Sequence, residues 1–541
     1  MARALAAAIV VSLLAVSGAG GAGAQTPKRG GTVAFGPISE PPCLNPLLPT
    51  TCGVLSFFWI TETVLTPVFA LAPDFTPKPR LVSRVTFTKR PPFTITYHIR
   101  PEAHWSDGVP VTAQDFVFTH DAIRKQRPMD PALEIHNRVR AIRAVDAKTV
   151  RVVLSARDAD WPGLFASVLP RHALRGQNLE RVWSDRIDNP KTGKPIGSGP
   201  FLVERWERGK QLTLVRNPRY WGPHVSYLDR LVVRFQQGGT APPPPQVLDA
   251  LRRGQSDFAL SRDTGILPDL RQIPGIRVFQ TPTNAWEHLE IRIGPGGHPA
   301  LRDKRLRRAL AYGIDRVAIV RRLFADLDSR YPPSDSVVYL TKHRSYRPNW
   351  NGYRYRPPES RRLLEQAGCR RGNDGIYLCG GRRLELRLVT IAGSRLRERH
   401  VGLIQTQLRL VGVEVELSFA APGALFEQIL PSGDFDLASF TFFVNIQAAG
   451  WKDVVGCGGG QNYTGYCQRL LTKDLDQSDR ILDADERGRV LNRADRQLAK
   501  DVPVLPLYEM PFVLALRQTV RNVVVSPNNL FWNAENWWLA R

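Results

Sequence analysis

Residues 101–119 constrain the fold most strongly, because several local rules agree within this one run. Upstream of it, residues 93–99 alternate apolar and polar side chains, which is typical of a strand with one buried face. Asp107-Gly108 then supplies a tight turn, since glycine tolerates positive φ and aspartate bonds its own backbone. Thr112 and Asp115 have the spacing of a capping box. The run therefore predicts a strand, a turn and a capped helix.

Three further blocks follow in a fixed order along the chain. They are Ile-Gly-Ser-Gly-Pro-Phe at 196–201, Leu-Val-Arg-Asn-Pro-Arg-Tyr-Trp-Gly at 214–222, and an Arg-rich block at 301–316. Together with 101–119, these blocks resemble the family 5 extracellular solute-binding proteins, which are the dipeptide, oligopeptide and nickel-binding components of ABC importers. The resemblance extends over most of the chain.

That resemblance implies an α/β, two-lobed periplasmic-binding-protein-like fold of type II, cluster C, with an extra inserted subdomain. Lobe I would combine residues 28–65, 195–284 and 505–541. The inserted subdomain would occupy 66–194, and lobe II would occupy 285–504. The length agrees with several lobes, because single cores stop growing beyond about 250 to 300 residues.

The N-terminus has the layout of a cleavable secretory signal. Arg3 precedes an apolar run at 4–16, and small residues lead to Ala24, which predicts a signal peptide at 1–24. A lipoprotein would have cysteine next, but Gln25 stands there and the first cysteine is Cys43. We expect export to the periplasm or the extracellular face of the cell membrane, without a lipid anchor.

Six cysteines fall into three close pairs. In an exported chain an even number favours disulfides, although six cysteines permit fifteen pairings. We expect neighbours to pair, and a zinc site is disfavoured because no Cys-x-x-Cys occurs and no histidine lies near at ligand spacing. The expected disulfides are Cys43–Cys52, Cys369–Cys379 and Cys457–Cys467.

The formal net charge is +24, which raises the question of a polyanionic partner. The arginines are spread along the chain, many of them beside acidic residues, as in 302–308. This pattern favours a solvated basic surface on a monomer, with no nucleic acid partner, over a polyanion-binding patch. Binding of anionic envelope polymers stays open as an alternative.

Alternating strands and helices are predicted for lobe II. A helix starting at Asp303 would bury one face while its arginines face water. Its buried face would hold Leu306, Leu310, Ile314, Val317 and Val320. Further helices are predicted at 360–366 and 396–410, and strands at 384–390 and 413–419.

The chain lacks several well-known catalytic and metal-binding motifs. The sequence has no Gly-x-Ser-x-Gly, no phosphate loop ending in Gly-Lys-Ser/Thr and no His-Glu-x-x-His. Asp434 and Asp436 are close enough to form a carboxylate pair, but we interpret them as solvated. We therefore predict a binding protein that is not an enzyme and has no cofactor or metal. A secreted hydrolase or carbohydrate-active protein is the alternative.

The resemblance places the solute in a cleft between the lobes. One wall would come from 36–45, and the facing wall from 440–451 and the loop 457–467. The aromatic and polar candidates for ligand contact are Ser39, Glu40, Trp286, Asn445, Gln447, Trp451 and Tyr463.

The second wall departs from the pattern of peptide-binding relatives, which place an aspartate there to pair with the peptide's α-ammonium group. Residues 440–450 contain no carboxylate, and the next one is Asp453. A buried ammonium without a charge partner is costly. We therefore predict a peptide-like or other polar solute, for which a free N-terminus is disfavoured, and delivery to ABC transporter permease subunits.

Overall fold

The computed structural model describes residues 26–88, 90–126, 129–236, 244–327, 331–443, 450–526 and 528–540. The predicted signal peptide lies outside these residues. Across the described ranges, no helix combines the length and the apolar character needed to cross a membrane.

A ten-stranded mixed sheet forms the centre of the molecule. In spatial order its strands are Phe201–Glu207, Gln211–Arg216, Arg230–Gln236, Thr32–Ser39, Phe258–Ser261, Val504–Arg517, Ile276–Ile291, Leu437–Phe443, Glu385–Ile391 and Glu414–Ala420. The pairs at the two ends of the sheet differ: Glu385–Ile391 runs parallel to Glu414–Ala420, whereas Phe201–Glu207 runs antiparallel to Gln211–Arg216.

Two long strands connect the halves of this sheet, and we call them the crossing strands. Ile276–Ile291 and Val504–Arg517 pair antiparallel along most of their length. Strands from predicted lobe I lie on one side of this pair and strands from predicted lobe II lie on the other. The lobe boundaries themselves stay predictions.

The opening motif is confirmed. Phe93–Ile99 is a strand that buries Ile95, Tyr97 and Ile99, and it lies in a four-stranded antiparallel sheet. The other strands of that sheet are Val82–Phe87, Thr149–Leu154 and Val139–Ala144. The helix Ala113–Lys125 begins at a capping box, in which the Thr112 amide donates to Asp115 Oδ2 at 2.7 Å.

The longer helices connect the strands and pack against the sheets or against one another. They are Leu55–Val64, Ala113–Lys125, Pro244–Arg252, Lys304–Gly313, Arg316–Leu323, Pro357–Gln366, Arg395–Leu410, Arg469–Ser478 and Ala484–Asp501. Short strand pairs add Phe69–Leu71 with Pro77–Pro79, Asp188–Asn189 with Lys194–Pro195, and Val520–Arg521 with Trp538–Leu539. The helices and strands predicted between residues 360 and 419 are confirmed to within a few residues.

The single helix predicted from Asp303 is wrong. The structure has two helices, Lys304–Gly313 and Arg316–Leu323, because Asp315 caps the second by accepting the Ala318 amide at 2.8 Å. The break changes the helical phase, so Val317 is only half-buried.

The expectation that the arginines of this region face water is also wrong for two of them. Arg307 and Arg316 are 5% and 3% exposed. Arg316 is tolerated because its two terminal guanidinium nitrogens are paired. They donate to Asp335 Oδ1 at 2.8 Å and to the backbone carbonyls of four residues, whereas its buried Nε has no partner among the described residues. Arg307 likewise donates to three backbone carbonyl oxygens.

Asp436 is not solvated as predicted. It is buried and accepts bonds from the amides of His298 and Arg387 at 2.6 and 2.8 Å, while Asp434 is exposed. Arg387 pairs with both carboxylates. The two aspartates therefore hold Arg387 and its strand, Glu385–Ile391, in place.

The three predicted disulfides are present and follow the nearest-neighbour pairing. Cys369–Cys379 joins facing positions of Cys369–Arg371 and Tyr377–Cys379, which belong to a small three-stranded sheet completed by Arg382–Arg383. Each bond closes a loop of 9 or 10 residues.

Candidate functional site

Two adjoining cavities lie beside the crossing strands. The first chamber has a volume of about 640 Å³ and is lined by the end of Thr32–Ser39, by residues 53–62 and 260–262, and by Asn528 and Asn529. The second chamber has a volume of about 700 Å³ and is lined mainly by residues 322–326, 394–399 and the strands that contain Glu287 and Thr441. Arg262 and Phe443 line both chambers. The chambers are therefore two parts of one cleft.

The first chamber combines aromatic surface with amide groups. Phe58 is 42% exposed and Phe443 is 62% exposed, although large aromatic side chains are ordinarily buried. Phe512 adds a third ring, and Arg262 lies over it with its guanidinium carbon 5.5 Å from the ring centre. Exposed aromatic walls with a few polar groups are typical of ligand sites.

Glu62 is the acidic group of the first chamber. It is half-buried on the helix Leu55–Val64, and its Oε2 accepts a bond of 2.6 Å from the Asn529 side-chain amide. Burial raises the pKa of Glu62 from its ordinary 4.5 to about 7, although the Asn529 bond and the nearby Arg80 oppose the rise. The carboxyl group therefore titrates near neutral pH.

The second chamber is rich in arginine. Five arginines and three acidic residues line it. One of the acids, Glu287, is buried, pairs with Arg397 at 3.3 Å and accepts a 2.6 Å bond from the Thr441 hydroxyl. Arg397 also donates to the Thr441 hydroxyl at 2.7 Å. This network holds the Arg397 guanidinium at the chamber wall.

A serine–histidine pair lies behind the second chamber. Ser439 Oγ is 3.0 Å from His400 Nε2, and His400 Nδ1 is 2.8 Å from the Tyr508 hydroxyl. All three side chains are fully buried, and Ser439 Oγ donates to the carbonyl oxygen of His288 at 2.8 Å. Burial lowers the pKa of His400 to about 4. A substrate could not reach this serine, so the group works as a packing network of the sheet.

The predicted ligand-contacting residues that the structure describes differ in whether they line the cleft. Ser39 lines the first chamber. Glu40 does not line either chamber but accepts bonds from the Trp206 indole at 2.7 Å and the Gly209 amide at 2.9 Å. Asn445 and Gln447 lie outside the described residues.

The three predicted aromatic contacts also do not line either chamber. Trp286 and Trp451 are buried, with ring centres 6.4 Å apart. Tyr463 packs its ring against Phe440, and its carbonyl oxygen accepts a 2.6 Å bond from Arg292. These three rings contribute to the packing of the hydrophobic core.

Glu62, Arg262, Arg397 and Asn529 were missed by the sequence reasoning. They come from four distant segments and no local motif marks any of them. As for metals, the part of the chain that the structure describes contains no group of three or more His, Cys, Asp or Glu side chains placed to hold an ion.

Comparisons with known proteins identify the family. The model described as "Bacterial extracellular solute-binding proteins, family 5 Middle" matches residues 76–449, which is more than half of the chain. The oligopeptide-binding protein OppA of Mycobacterium tuberculosis is 27% identical over 476 residues, covering 85% of this chain and 77% of OppA.

Solved structures share the fold over nearly the whole chain. The periplasmic EDTA-binding protein EppA superposes with a TM-score of 0.81 at 24% identity, covering 96% of this chain and 98% of EppA. The oligopeptide-binding protein AppA of Bacillus subtilis, in complex with a nonapeptide, gives 0.70 at 20% identity, covering 95% of this chain and 100% of AppA. The predicted two-lobed α/β fold is thereby confirmed, and its large central sheet agrees with that architecture. The chain belongs to the family 5 bacterial extracellular solute-binding proteins.

Proposed function

We propose that the protein is an extracytoplasmic solute-binding protein, and not an enzyme, which captures a peptide-like or other polar solute between its lobes. It then delivers the solute to the permease subunits of an ABC importer. The observation that carries the proposal is the two-chamber cleft beside the crossing strands, with its exposed aromatic rings. A two-lobed protein traps a solute by closing on it and needs no reactive group.

The lobe boundaries given above, 28–65 with 195–284 and 505–541 against 285–504, belong to this proposal. So does the location: the protein acts in the periplasm or at the extracellular face, as a monomer without a lipid anchor. The relatives with which it shares its family are themselves extracytoplasmic binding proteins.

A free peptide N-terminus is a disfavoured ligand. Asp453, the first carboxylate after the second wall, accepts bonds from the Gly460 amide at 2.7 Å and the Gln461 side chain at 3.0 Å, and it lines neither chamber. The similar structures bear on the range of solutes, because AppA holds a nonapeptide whereas EppA is named for EDTA. Asn445 and Gln447 stay proposed contacts of the second wall.

The test is capture of a solute by the purified protein. The chain without residues 1–24 is purified from its own host, and native mass spectrometry identifies the bound molecule, whose affinity is then measured by calorimetry. Phe443→Ala should weaken binding about tenfold, because its exposed ring lines both chambers. Leu470→Ala is the control, since Leu470 is 72% exposed and lines neither chamber. Steady hydrolysis of peptides or esters by the protein, or equal effects of the two variants, would contradict the proposal.

A further inference from the structure

A short hairpin of the predicted inserted subdomain forms part of the cleft wall. It comprises residues 69–79, a pair of antiparallel strands and the turn between them, and we call it the cleft hairpin. Its residue Leu71 lines the first chamber. Asn528, which lines the same chamber, donates its side-chain amide to the carbonyl oxygen of Ala72 at 3.5 Å. The cleft hairpin is therefore in a position to respond to what the chamber holds.

The turn of the cleft hairpin places Phe75 in a core that belongs to another part of the chain. Phe75 is 4% exposed, and of the described residues it is the only buried one before Val247 in this core. The other core-forming side chains of the inserted subdomain pack in a separate core. The Phe75 ring centre lies 6.4 Å from that of His343, which stacks on Tyr339. Phe75 thus anchors the inserted subdomain in predicted lobe II.

The backbone of Phe75 is strained. Its φ of 63° lies in the left-handed region, which bulky residues rarely adopt and which persists only where the surroundings hold it. Here the burial of the ring stabilises the strained turn. If the ring left its pocket, the turn could relax, and this gain would offset part of the burial that is lost. The docked ring is therefore easier to release than an unstrained core residue.

A second, smaller contact joins the same two parts of the molecule. The amide of Ala159 donates to the carbonyl oxygen of Asp479 at 2.7 Å. Beside this bond, Leu482 lines a small cavity together with Phe93 and Trp161 of the inserted subdomain. The inserted subdomain therefore meets predicted lobe II at two places, and Phe75 is the side chain that enters its core.

We propose that the cleft hairpin is a latch, in which Phe75 docks in predicted lobe II while the cleft is closed and withdraws when the cleft opens. Leu71 places one strand of the hairpin against the solute, so an occupied first chamber would steady the turn that carries Phe75. Movements of this kind require an element with two alternative packings, and a strained, docked turn supplies one. The inference rests on the proposed function, because it assigns the device that closes the same cleft.

Replacing Phe75 by glycine tests the latch. Glycine tolerates the left-handed backbone, so Phe75→Gly removes the ring without straining the turn. Hydrogen exchange of the protein without residues 1–24 is followed by mass spectrometry, with no solute added. We expect amides in 69–79 and 337–345 to exchange about tenfold faster or more, while those of the crossing strands keep the parent's rates. Small-angle X-ray scattering should give a larger radius of gyration, because the cleft opens.

Two further variants separate docking from general stability. Phe75→Leu keeps an apolar side chain in the pocket and should restore most of the protection from exchange. Val145→Gly is the matched control, because Val145 is 47% exposed in the turn of a different hairpin of the same subdomain. It should leave both segments and the radius of gyration unchanged.

Unchanged exchange and radius of gyration in Phe75→Gly would overturn the latch and leave the proposed function intact, since a cleft can close without it. Faster exchange throughout the protein, crossing strands included, would also overturn it, because Phe75 would then be an ordinary core residue. The measurement uses no solute, so its outcome is independent of whether the protein captures a molecule from its host. Failure of that capture would count against the proposed function alone.

Discussion

Replacing Glu62 by glutamine should make the free energy of unfolding less dependent on pH. Burial raises the pKa of Glu62 from 4.5 to about 7, so between these values the folded protein binds more protons than the unfolded chain. The stability of the parent therefore falls as pH rises through this window and levels off above it. Glutamine cannot ionise and can still accept the bond from Asn529, so the variant lacks this loss.

The magnitude follows from the two pKa values. The gap between 4.5 and about 7 corresponds to about 3 kcal/mol above neutral pH, at about 1.36 kcal/mol per pH unit. Glu62 is half-buried and faces the first chamber, so solvent screening reduces this cost. We expect Glu62→Gln to be more stable than the parent by about 1 to 2 kcal/mol at about pH 8, and by less than about 1 kcal/mol at about pH 5.

Urea unfolding at these two pH values, followed by tryptophan fluorescence and circular dichroism, measures the difference. Glu102→Gln is the control, because the Glu102 side chain is 51% exposed and its ion pair with Arg100, at 3.7 Å, lies at the surface. Its effect should be the same at both pH values. An equal change for Glu62→Gln at both pH values, or a loss of stability that grows with pH, would refute the assignment of a neutral-pH titration to Glu62.

Three further predictions concern the fold, and each is measured by equilibrium unfolding. Trp105→Ala should cost about 3 to 5 kcal/mol, because the ring is fully buried. Trp105→Phe should cost less, because the indole N–H has no hydrogen-bond partner among the described residues that the variant would lose. Equal losses of stability for the two variants would contradict this prediction. Arg316→Met should cost about 3 to 5 kcal/mol, because Asp335 keeps only the longer, 3.7 Å pair with half-exposed Arg354 and four buried carbonyl oxygens lose their donor. Exposed Arg496→Met should change little. Replacing Cys369 and Cys379 by serine should cost about 2 to 3 kcal/mol for a loop of this length, and free thiols in the purified parent would invalidate the premise.

The sequence was sufficient where the signals are local. The strand Phe93–Ile99 shows its burial in period two, and Thr112 and Asp115 mark a helix start within four residues. The break at Asp315 was missed because the apolar spacing continues through it, and only the bond from the Ala318 amide shows that a new helix begins. Propensity and period alone do not distinguish an aspartate inside a helix from one that caps it.

The cleft could not be derived in this way, because its walls combine residues from segments as distant as Ser39, Glu62, Arg262, Phe443 and Asn529. Aromatic side chains were the available sequence signal for the cleft, but the tryptophans chosen on that basis lie in the core. Trp286 and Trp451 fill the core, whereas the rings exposed to the cleft belong to Phe58 and Phe443. Hydrophobicity cannot separate these two environments, since a core and a ligand pocket bury the same kind of surface.

The contrast between the two chambers gives the proposed solute a direction. The first chamber offers aromatic rings, amide groups and Glu62, which is largely uncharged below about pH 7. The second offers arginines without enough acid to neutralise them. A solute that spans both chambers would therefore meet rings and amide groups at one end and guanidinium groups at the other, so its two ends would lie in unlike surroundings.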